Sequence, residues 1–156
     1  IMRKIEEFNR YDKCTLSIPS FSPEIFKVMM WTKQEVPNIQ DISQNSDIPI
    51  KISRIVSSDN NAPHETQYFI ESLKNTKVKR VAFRKLFWDM TSWEDTVLYL
   101  EQMWAESVWE YRWNPIYAID GIEITLWSFD NTNSKSINLF SNGHISDQYL
   151  LSKSKK

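Results

Sequence analysis

Apolar and polar positions along the first 60 residues predict one helix and one strand. The segment Ser22–Glu24 places proline just inside a helix start and predicts a helix over Ile25–Lys33, with a strand as the alternative. Over Ile48–Ile52, isoleucine alternates with other residues at the period of a half-buried strand. Because Pro49 cannot donate a ladder hydrogen bond, it confines that strand to a sheet edge or marks its beginning.

A second helix and a basic strand are predicted next. The helix covers His64–Lys74, and its apolar positions, which we expect to be buried, are Phe69, Ile70 and Leu73. The strand covers Lys79–Phe87, and its side chains alternate between two faces. One face is expected to carry Lys79, Val81, Phe83, Lys85 and Phe87, and the other Arg80, Ala82 and Arg84.

The strongest periodic pattern begins after Thr91 and predicts one long helix. Ser92 is expected to cap this helix, and Asp95 lies three residues later, near the positive end of the helix dipole. Neither glycine nor proline interrupts the chain before Pro115. Apolar side chains recur at steps of three and four, which predicts one buried stripe made of Trp93, Val97, Leu100, Trp104, Val108 and Tyr111.

A tight β-hairpin is predicted after the long helix. Asp120-Gly121 separates the apolar runs Ile116–Ile119 and Ile122–Phe129. The pair Asp-Gly is typical of a two-residue turn in which both residues need a positive φ. We therefore expect the two runs to pair as antiparallel strands.

A second hairpin completes the predicted fold. Asn142-Gly143 would form its turn, between a strand over Ser136–Ser141 and a strand that begins at His144. The expected fold class is α+β, with an antiparallel β meander packed against one long helix and one or two shorter helices. Since no repeat or long linker is visible, residues 1–156 are expected to form a single domain.

Composition excludes several kinds of chemistry. Hydrophobic residues make up 41% of the 156 residues and aromatic residues 13%, which is typical of a protein with a packed core. The two glycines, Gly121 and Gly143, are too few and too far apart for a phosphate-binding loop. One cysteine and two histidines do not provide a structural zinc site. We therefore expect no cofactor and no metal.

Hydropathy predicts neither a membrane span nor a signal peptide. Charged residues follow Met2, and no run of about 18 apolar residues occurs anywhere in the chain. The expected location is the cytoplasm, and no membrane partner is expected.

The histidines and the cysteine are the candidate catalytic groups. His64 begins a metalloprotease pattern, but Tyr68 stands where the second histidine belongs. His64 and His144 could serve as base and acid in a small hydrolase, the alternative being two surface histidines. The simpler interpretation of Cys14 is a buried, inert thiol. We expect a protein that is not an enzyme.

Charge is distributed unevenly along the chain. Residues 1–88 carry 14 basic and 10 acidic side chains, whereas residues 89–156 carry 5 and 10. The basic run includes Lys79, Arg80, Arg84 and Lys85, interleaved with Phe83, Phe87 and Trp88. Basic and aromatic side chains on a sheet can hold single-stranded nucleic acid. The alternative is a solvated strand, or a strand paired with the acidic helix.

The predicted long helix would turn an acidic, aromatic face away from its buried stripe. That face includes Asp95, Tyr99, Glu106, Trp109 and Glu110. Large aromatic side chains among carboxylates suit the binding of a basic protein. The alternative is that a loop or the C-terminal strands cover the two rings.

The chain resembles the immunity proteins of bacterial toxin systems, such as those of contact-dependent growth inhibition and other polymorphic toxins. The likeness extends over the whole small, glycine-poor chain, which is rich in Ile, Lys, Asn and Ser and is expected to carry an acidic, aromatic helix. It is a likeness of class without a diagnostic motif, and it transfers no functional residue. It implies a cytosolic inhibitor that binds a cognate toxin domain, often a basic nuclease. A nucleic-acid-binding module and a small hydrolase stay as alternatives.

Overall fold

The computed structural model describes residues 5–86, 89–103, 106–111, 113–128, 138–139 and 145–146. The helices of this part of the chain are α1 (Ile5–Phe8), α2 (Pro23–Met29), α3 (Ile39–Gln44), α4 (Pro63–Glu71) and α5 (Met90–Gln102). Its strands are β1 (Cys14–Ser17), β2 (Ile50–Val56), β3 (Arg80–Lys85), β4 (Glu106–Tyr111), β5 (Asn114–Ile119), β6 (Ile122–Trp127), β7 (Asn138–Leu139) and β8 (Ile145–Ser146).

A six-stranded mixed sheet organises the fold. Its strand order is β1-β2-β3-β6-β5-β4. The first four strands in that order run parallel to one another, and β6, β5 and β4 are antiparallel neighbours. The α+β class is therefore confirmed, but the antiparallel meander is limited to β4–β6. Helices cross over between β1, β2 and β3, and such crossovers permit parallel pairing.

Alternation along the strands gives the sheet two different faces. Ile52, Val81 and Ile124 are register partners and are fully buried. They belong to one core cluster with residues of α2 to α5, so this is the inner face. The opposite face of the four parallel strands, called the outer face, carries Thr15, Ser17, Lys51, Ser53, Ile55, Arg80, Ala82, Arg84, Glu123, Thr125 and Trp127.

The predicted early elements form, with shorter bounds for the helices and a longer strand that begins later. The predicted helix over Ile25–Lys33 ends at Met29, and the strand alternative is wrong there. The isoleucine-rich strand begins directly after Pro49 and lies between β1 and β3, so the proline marks its start. The residues predicted to be buried by α4, namely Phe69, Ile70 and Leu73, all belong to the core.

The predicted long helix is wrong beyond Gln102. Its first part forms α5, in which Leu100 is fully buried and Trp93 and Val97 pack against the core. The chain then enters β4, where Val108 and Tyr111 are exposed. Valine and aromatic residues fit a strand well, and antiparallel pairing with β5 outweighs the helical spacing of the apolar positions.

The start of α5 also differs from the prediction. Asp89, not Ser92, caps the helix: its carboxylate accepts a hydrogen bond from the Ser92 amide at 3.0 Å. Ser92 is buried within the first turn. The Asp89 carboxylate also accepts from the Ser58 amide at 3.1 Å, which ties the helix to the loop after β2.

Both predicted hairpins correspond to paired strands. Asp120 and Gly121 have φ of 51° and 76°, as the two-residue turn between β5 and β6 requires. β7 pairs antiparallel with β8, in agreement with the second hairpin, and the predicted Asn142-Gly143 turn lies outside the described residues.

Candidate functional site

The five residues predicted for one acidic helical face lie on two elements. Asp95 and Tyr99 belong to α5, whereas Glu106, Trp109 and Glu110 belong to β4. The division follows from the end of the helix at Gln102. The single helical face is thus replaced by two separate surfaces.

The α5 surface borders a shallow cleft. Asp95 and Tyr99 line it together with Asn61 and Leu98, and the Asn61 amide donates a hydrogen bond to the Asp95 carboxylate at 3.2 Å. Burial, and to a lesser extent the Glu71 carboxylate, raises the pKa of Tyr99. The cleft measures about 210 Å³, smaller than the pockets that enclose most small-molecule ligands.

The β4 surface is an edge strand with large exposed side chains. Within the described part of the chain, β4 pairs only with β5. Val108, Trp109 and Tyr111 are 48%, 52% and 44% exposed, and Trp113 in the following turn is 65% exposed. We call the residues Val108, Trp109, Glu110, Tyr111 and Trp113 the β4 edge.

A β-bulge directs the aromatic side chains of the β4 edge. The register shifts between Ser107 and Trp109, so that Trp109 pairs with Ile116 and Tyr111 with Asn114. These pairs put both rings on the outer side of the sheet, where the Tyr111 ring lies 6.3 Å from that of Trp127. Bulges commonly interrupt a ladder and re-aim side chains at functional edges.

The four basic residues predicted to act together are divided between different positions. Arg80 and Arg84 lie on the outer face of β3, as predicted. Lys85 pairs with Val56 and belongs to the inner side, and Lys79 precedes the strand. The four basic side chains therefore do not share one face of β3.

Lys51 is a functional candidate that the sequence analysis missed. It lies on the outer face of β2, directly opposite Arg80. Partial burial lowers the pKa of Lys51, and so do the charges of Arg80, Arg84 and Lys13. Glu123 Oε2 accepts a hydrogen bond from Arg80 Nε at 3.0 Å. The alternation of isoleucine along this strand predicts that Lys51 lies on its polar side. Only the parallel pairing of β2 with β3 brings Lys51 close to Arg80 and Arg84.

Trp31 is a second candidate that the sequence did not reveal. It follows the C-cap of α2, is 95% exposed and has φ of 49°. A cleft of about 280 Å³ separates the end of α2 from the outer face, with Val28, Met30 and Trp31 on one side and Ser53 and Ile55 on the other. Trp31 therefore borders the outer face beside β2.

Arg54 is a buried arginine whose contacts belong to the packing of the core. The Arg54 guanidinium lies between the rings of Phe69 and Phe83, 4.7 and 4.8 Å from their centroids, and donates a hydrogen bond to the Asn60 carbonyl. Burial lowers the pKa of Arg54 to about 9, and the nearby Glu65 carboxylate opposes this change. Arg54 thus keeps its charge at neutral pH and joins β2 to α4.

The candidate catalytic groups are not brought together among the described residues. His64 is exposed at the start of α4, and His144 lies outside the described residues, so the hydrolase stays a prediction. Burial raises the pKa of the Cys14 thiol, which disfavours the reactive thiolate. In the described part of the chain, no three His, Cys, Asp or Glu side chains are grouped as a metal site would require.

Neither the described helices nor comparison with known proteins assigns the chain to a class. Among its described helices, none combines the length and apolar character needed to cross a membrane. No protein-family model, curated protein or solved structure matches the sequence. The function must therefore be inferred from the surfaces of the molecule.

Proposed function

We propose that this protein is an immunity-type inhibitor that works in the bacterial cytoplasm and binds a cognate toxin domain through the β4 edge. Its action is stoichiometric binding, without catalysis. The class comes from the resemblance of the chain to immunity proteins. The β4 edge offers a contact surface of the kind that such an inhibitor needs.

The observation that carries the proposal is the exposure of Trp109 on an acidic edge strand. Trp109 and Tyr111 are each about half exposed and lie on the same side of the sheet. An apolar edge strand left open promotes aggregation, so proteins usually cover or protect it. Tryptophan and tyrosine are also the residues that most often dominate binding energy in protein interfaces.

The charge of the strand suggests a basic partner. Glu110 lies between Trp109 and Tyr111 in the sequence, and Glu106 begins the strand. Glu110 pairs with Pro115 and lies on the other side of the strand from the two rings. Negative charge at this edge would steer a positively charged domain towards it, chiefly by raising the association rate. A basic nuclease domain, which the resemblance implies, has the complementary charge.

Capture of the partner followed by reconstitution tests this proposal. Tagged protein would be used to capture partners from the parent bacterium, and the captured domain would be purified. We expect the domain to arrest growth when expressed alone and growth to recover on co-expression with this protein. Trp109→Ser should weaken the complex about 30-fold or more, as expected for an interface hot spot.

Charge reversal at Glu110 tests whether binding depends on the β4 edge or only on the net charge of the protein. Glu110→Lys should lower the association rate severalfold, more strongly at low salt. Glu7→Lys is the matched control, because Glu7 is exposed on α1 and its reversal changes the net charge equally. A captured domain that does not arrest growth would contradict the inhibitor role. An unchanged affinity in Trp109→Ser would contradict the β4 edge as the contact surface.

A further inference from the structure

The outer face of the sheet concentrates positive charge. Lys51 and Arg80 are register partners on adjacent parallel strands, and Arg84 lies four residues along the same strand. Like charges in facing strand positions repel each other and destabilise the pair. The lowered pKa of Lys51 has burial as its largest cause, and the neighbouring cations add to it. Glu123, the register partner of Arg80 on β6, forms an ion pair with it, so these three cations share the face with one carboxylate and give it an excess of positive charge.

Aromatic side chains extend the same face. Trp127 is the register partner of Arg84, and its ring lies next to that of Tyr111. On the other side of Arg84, Ile55 faces Trp31 across the cleft at the end of α2. Cations and aromatic rings therefore lie side by side across neighbouring strands.

We propose that the outer face binds single-stranded nucleic acid, with Lys51, Arg80 and Arg84 contacting phosphates and Trp31 stacking on a base. This site lies on the same side of the sheet as Trp109 and Tyr111, but none of its four residues belongs to the β4 edge, and it does not depend on the proposed inhibitor role. It also differs from the basic segment suggested by the sequence, since Lys51 comes from another strand and Lys79 and Lys85 take no part.

The face has the length of a short nucleic-acid segment, and its exposed tryptophan favours a single strand. Arg80 and Arg84 are separated by about 13 Å along β3, roughly the axial length of four stacked nucleotides. Proteins that bind single strands combine a cationic track with aromatic platforms, because each base offers a π-face for stacking. A duplex hides its bases, so Trp31 would have nothing on which to stack.

Fluorescence anisotropy with labelled 12-mers of dT and rU tests the proposal on the full chain. We expect binding at 50 mM salt that weakens as salt rises. Binding to a 12-base-pair DNA duplex should be at least about tenfold weaker, because its bases are not available for stacking. No binding to either single strand at 50 mM salt, or tighter binding to the duplex, would overturn the proposal.

Lys51→Gln identifies the cationic part of the site. This variant removes repulsion from Arg80 and Arg84, so its melting temperature should equal or exceed that of the wild type. The slope of log affinity against log salt should fall by about 0.7, the value for one phosphate contact in a single strand. Lys77→Gln is the matched control, because Lys77 lies beside α3, where its ammonium donates to the Gln44 carbonyl. Equal slope changes in both variants would overturn the assignment.

Trp31→Gly identifies the stacking part of the site. Glycine suits the positive φ at this position, so the variant should stay folded, as circular dichroism can verify. Its affinity for the dT 12-mer should fall at least about fivefold, the lower limit for loss of one base–aromatic stack. If Trp31→Gly binds the 12-mer as tightly as the wild type and heparin displaces the oligonucleotide equally from both, the face is a general anion surface, and the nucleic-acid assignment fails.

Discussion

Trp31 occupies a backbone position that suits glycine better than any other residue. Its φ of 49° is left-handed, and the Thr32 amide donates to the Lys27 carbonyl at 3.2 Å, as in a helix that ends with a left-handed residue. An L-residue in this conformation is destabilised by about 1–2 kcal/mol. Because its side chain is 95% exposed, burial offsets little of this cost. The tryptophan is better explained by binding than by folding.

Replacing Trp31 with glycine is therefore expected to stabilise the protein. The free energy of unfolding of Trp31→Gly should rise by about 0.5–1 kcal/mol, since relief of the left-handed strain exceeds the added entropy of the unfolded chain. Urea titration at constant m-value measures the change. Trp31→Ala is the control that removes the ring but keeps the Cβ atom and its strain. If glycine were less stable than alanine here, the left-handed strain would not be the reason.

The predictability of single residues depends on how local their environment is. Phe69 and Leu73 were predicted to be buried because the apolar spacing along one helix defines its inner face. The burial of Arg54 was not foreseen, although it continues the alternation of Ile50 and Ile52 along β2. Its two stacking rings come from α4 and β3, and a sequence does not show such long-range partners.

At the scale of elements, the cap of α5 has a measurable pH dependence. Partial burial would raise the pKa of Asp89, but the amides of Ser92 and Ser58 donate to its carboxylate and outweigh burial, so the pKa is lowered from 3.8. A carboxyl whose folded pKa lies below its unfolded value stabilises the fold above the unfolded pKa. That stabilisation is lost as the pH falls through the folded pKa.

The stability that is lost when the cap is removed should therefore depend on pH. Asp89→Ala is expected to lower the free energy of unfolding by about 1–2 kcal/mol at pH 6, as for other N-cap replacements. The difference from the wild type should shrink as the pH falls below the unfolded aspartate pKa of about 3.9 and through the lower folded pKa. Asparagine also caps helices but carries no charge, so the stability of Asp89→Asn should follow pH less steeply than the wild type. A constant difference between wild type and Asp89→Ala from pH 6 to pH 2.5 would contradict this account.

Elements with local signals formed as expected, and those that depend on distant pairing did not. The Asp120-Gly121 turn carries its own backbone preference and correctly predicted the β5–β6 hairpin. Val108 and Tyr111 fit the helical spacing, but their segment pairs with β5, and this pairing between strands outweighs the spacing. Periodicity also says nothing about strand direction, so the parallel half of the sheet was not foreseen.

At the scale of the whole molecule, strand order separates the two proposed surfaces. The basic residues Lys51 and Arg80 lie on β2 and β3, whereas Glu110 lies on β4 at the far edge of the sheet. The uneven charge of the sequence indicated two patches of opposite sign, but it could not place them. The parallel register of β2 and β3 assembles the basic cluster, and the early end of α5 moves part of the predicted acidic site to the sheet edge.

This separation predicts that the two surfaces act independently despite a net charge of −1. Three strand spacings, about 14 Å, lie between β3, the nearer strand of the basic cluster, and β4, which exceeds the Debye length of about 8 Å at physiological salt. Glu110→Lys should therefore change the affinity for the dT 12-mer less than about twofold at 150 mM salt. Lys51→Gln should weaken it severalfold, and the double variant should match Lys51→Gln alone. If instead Glu110→Lys strengthened oligonucleotide binding as much as Lys51→Gln weakened it, net charge rather than the outer face would control the affinity.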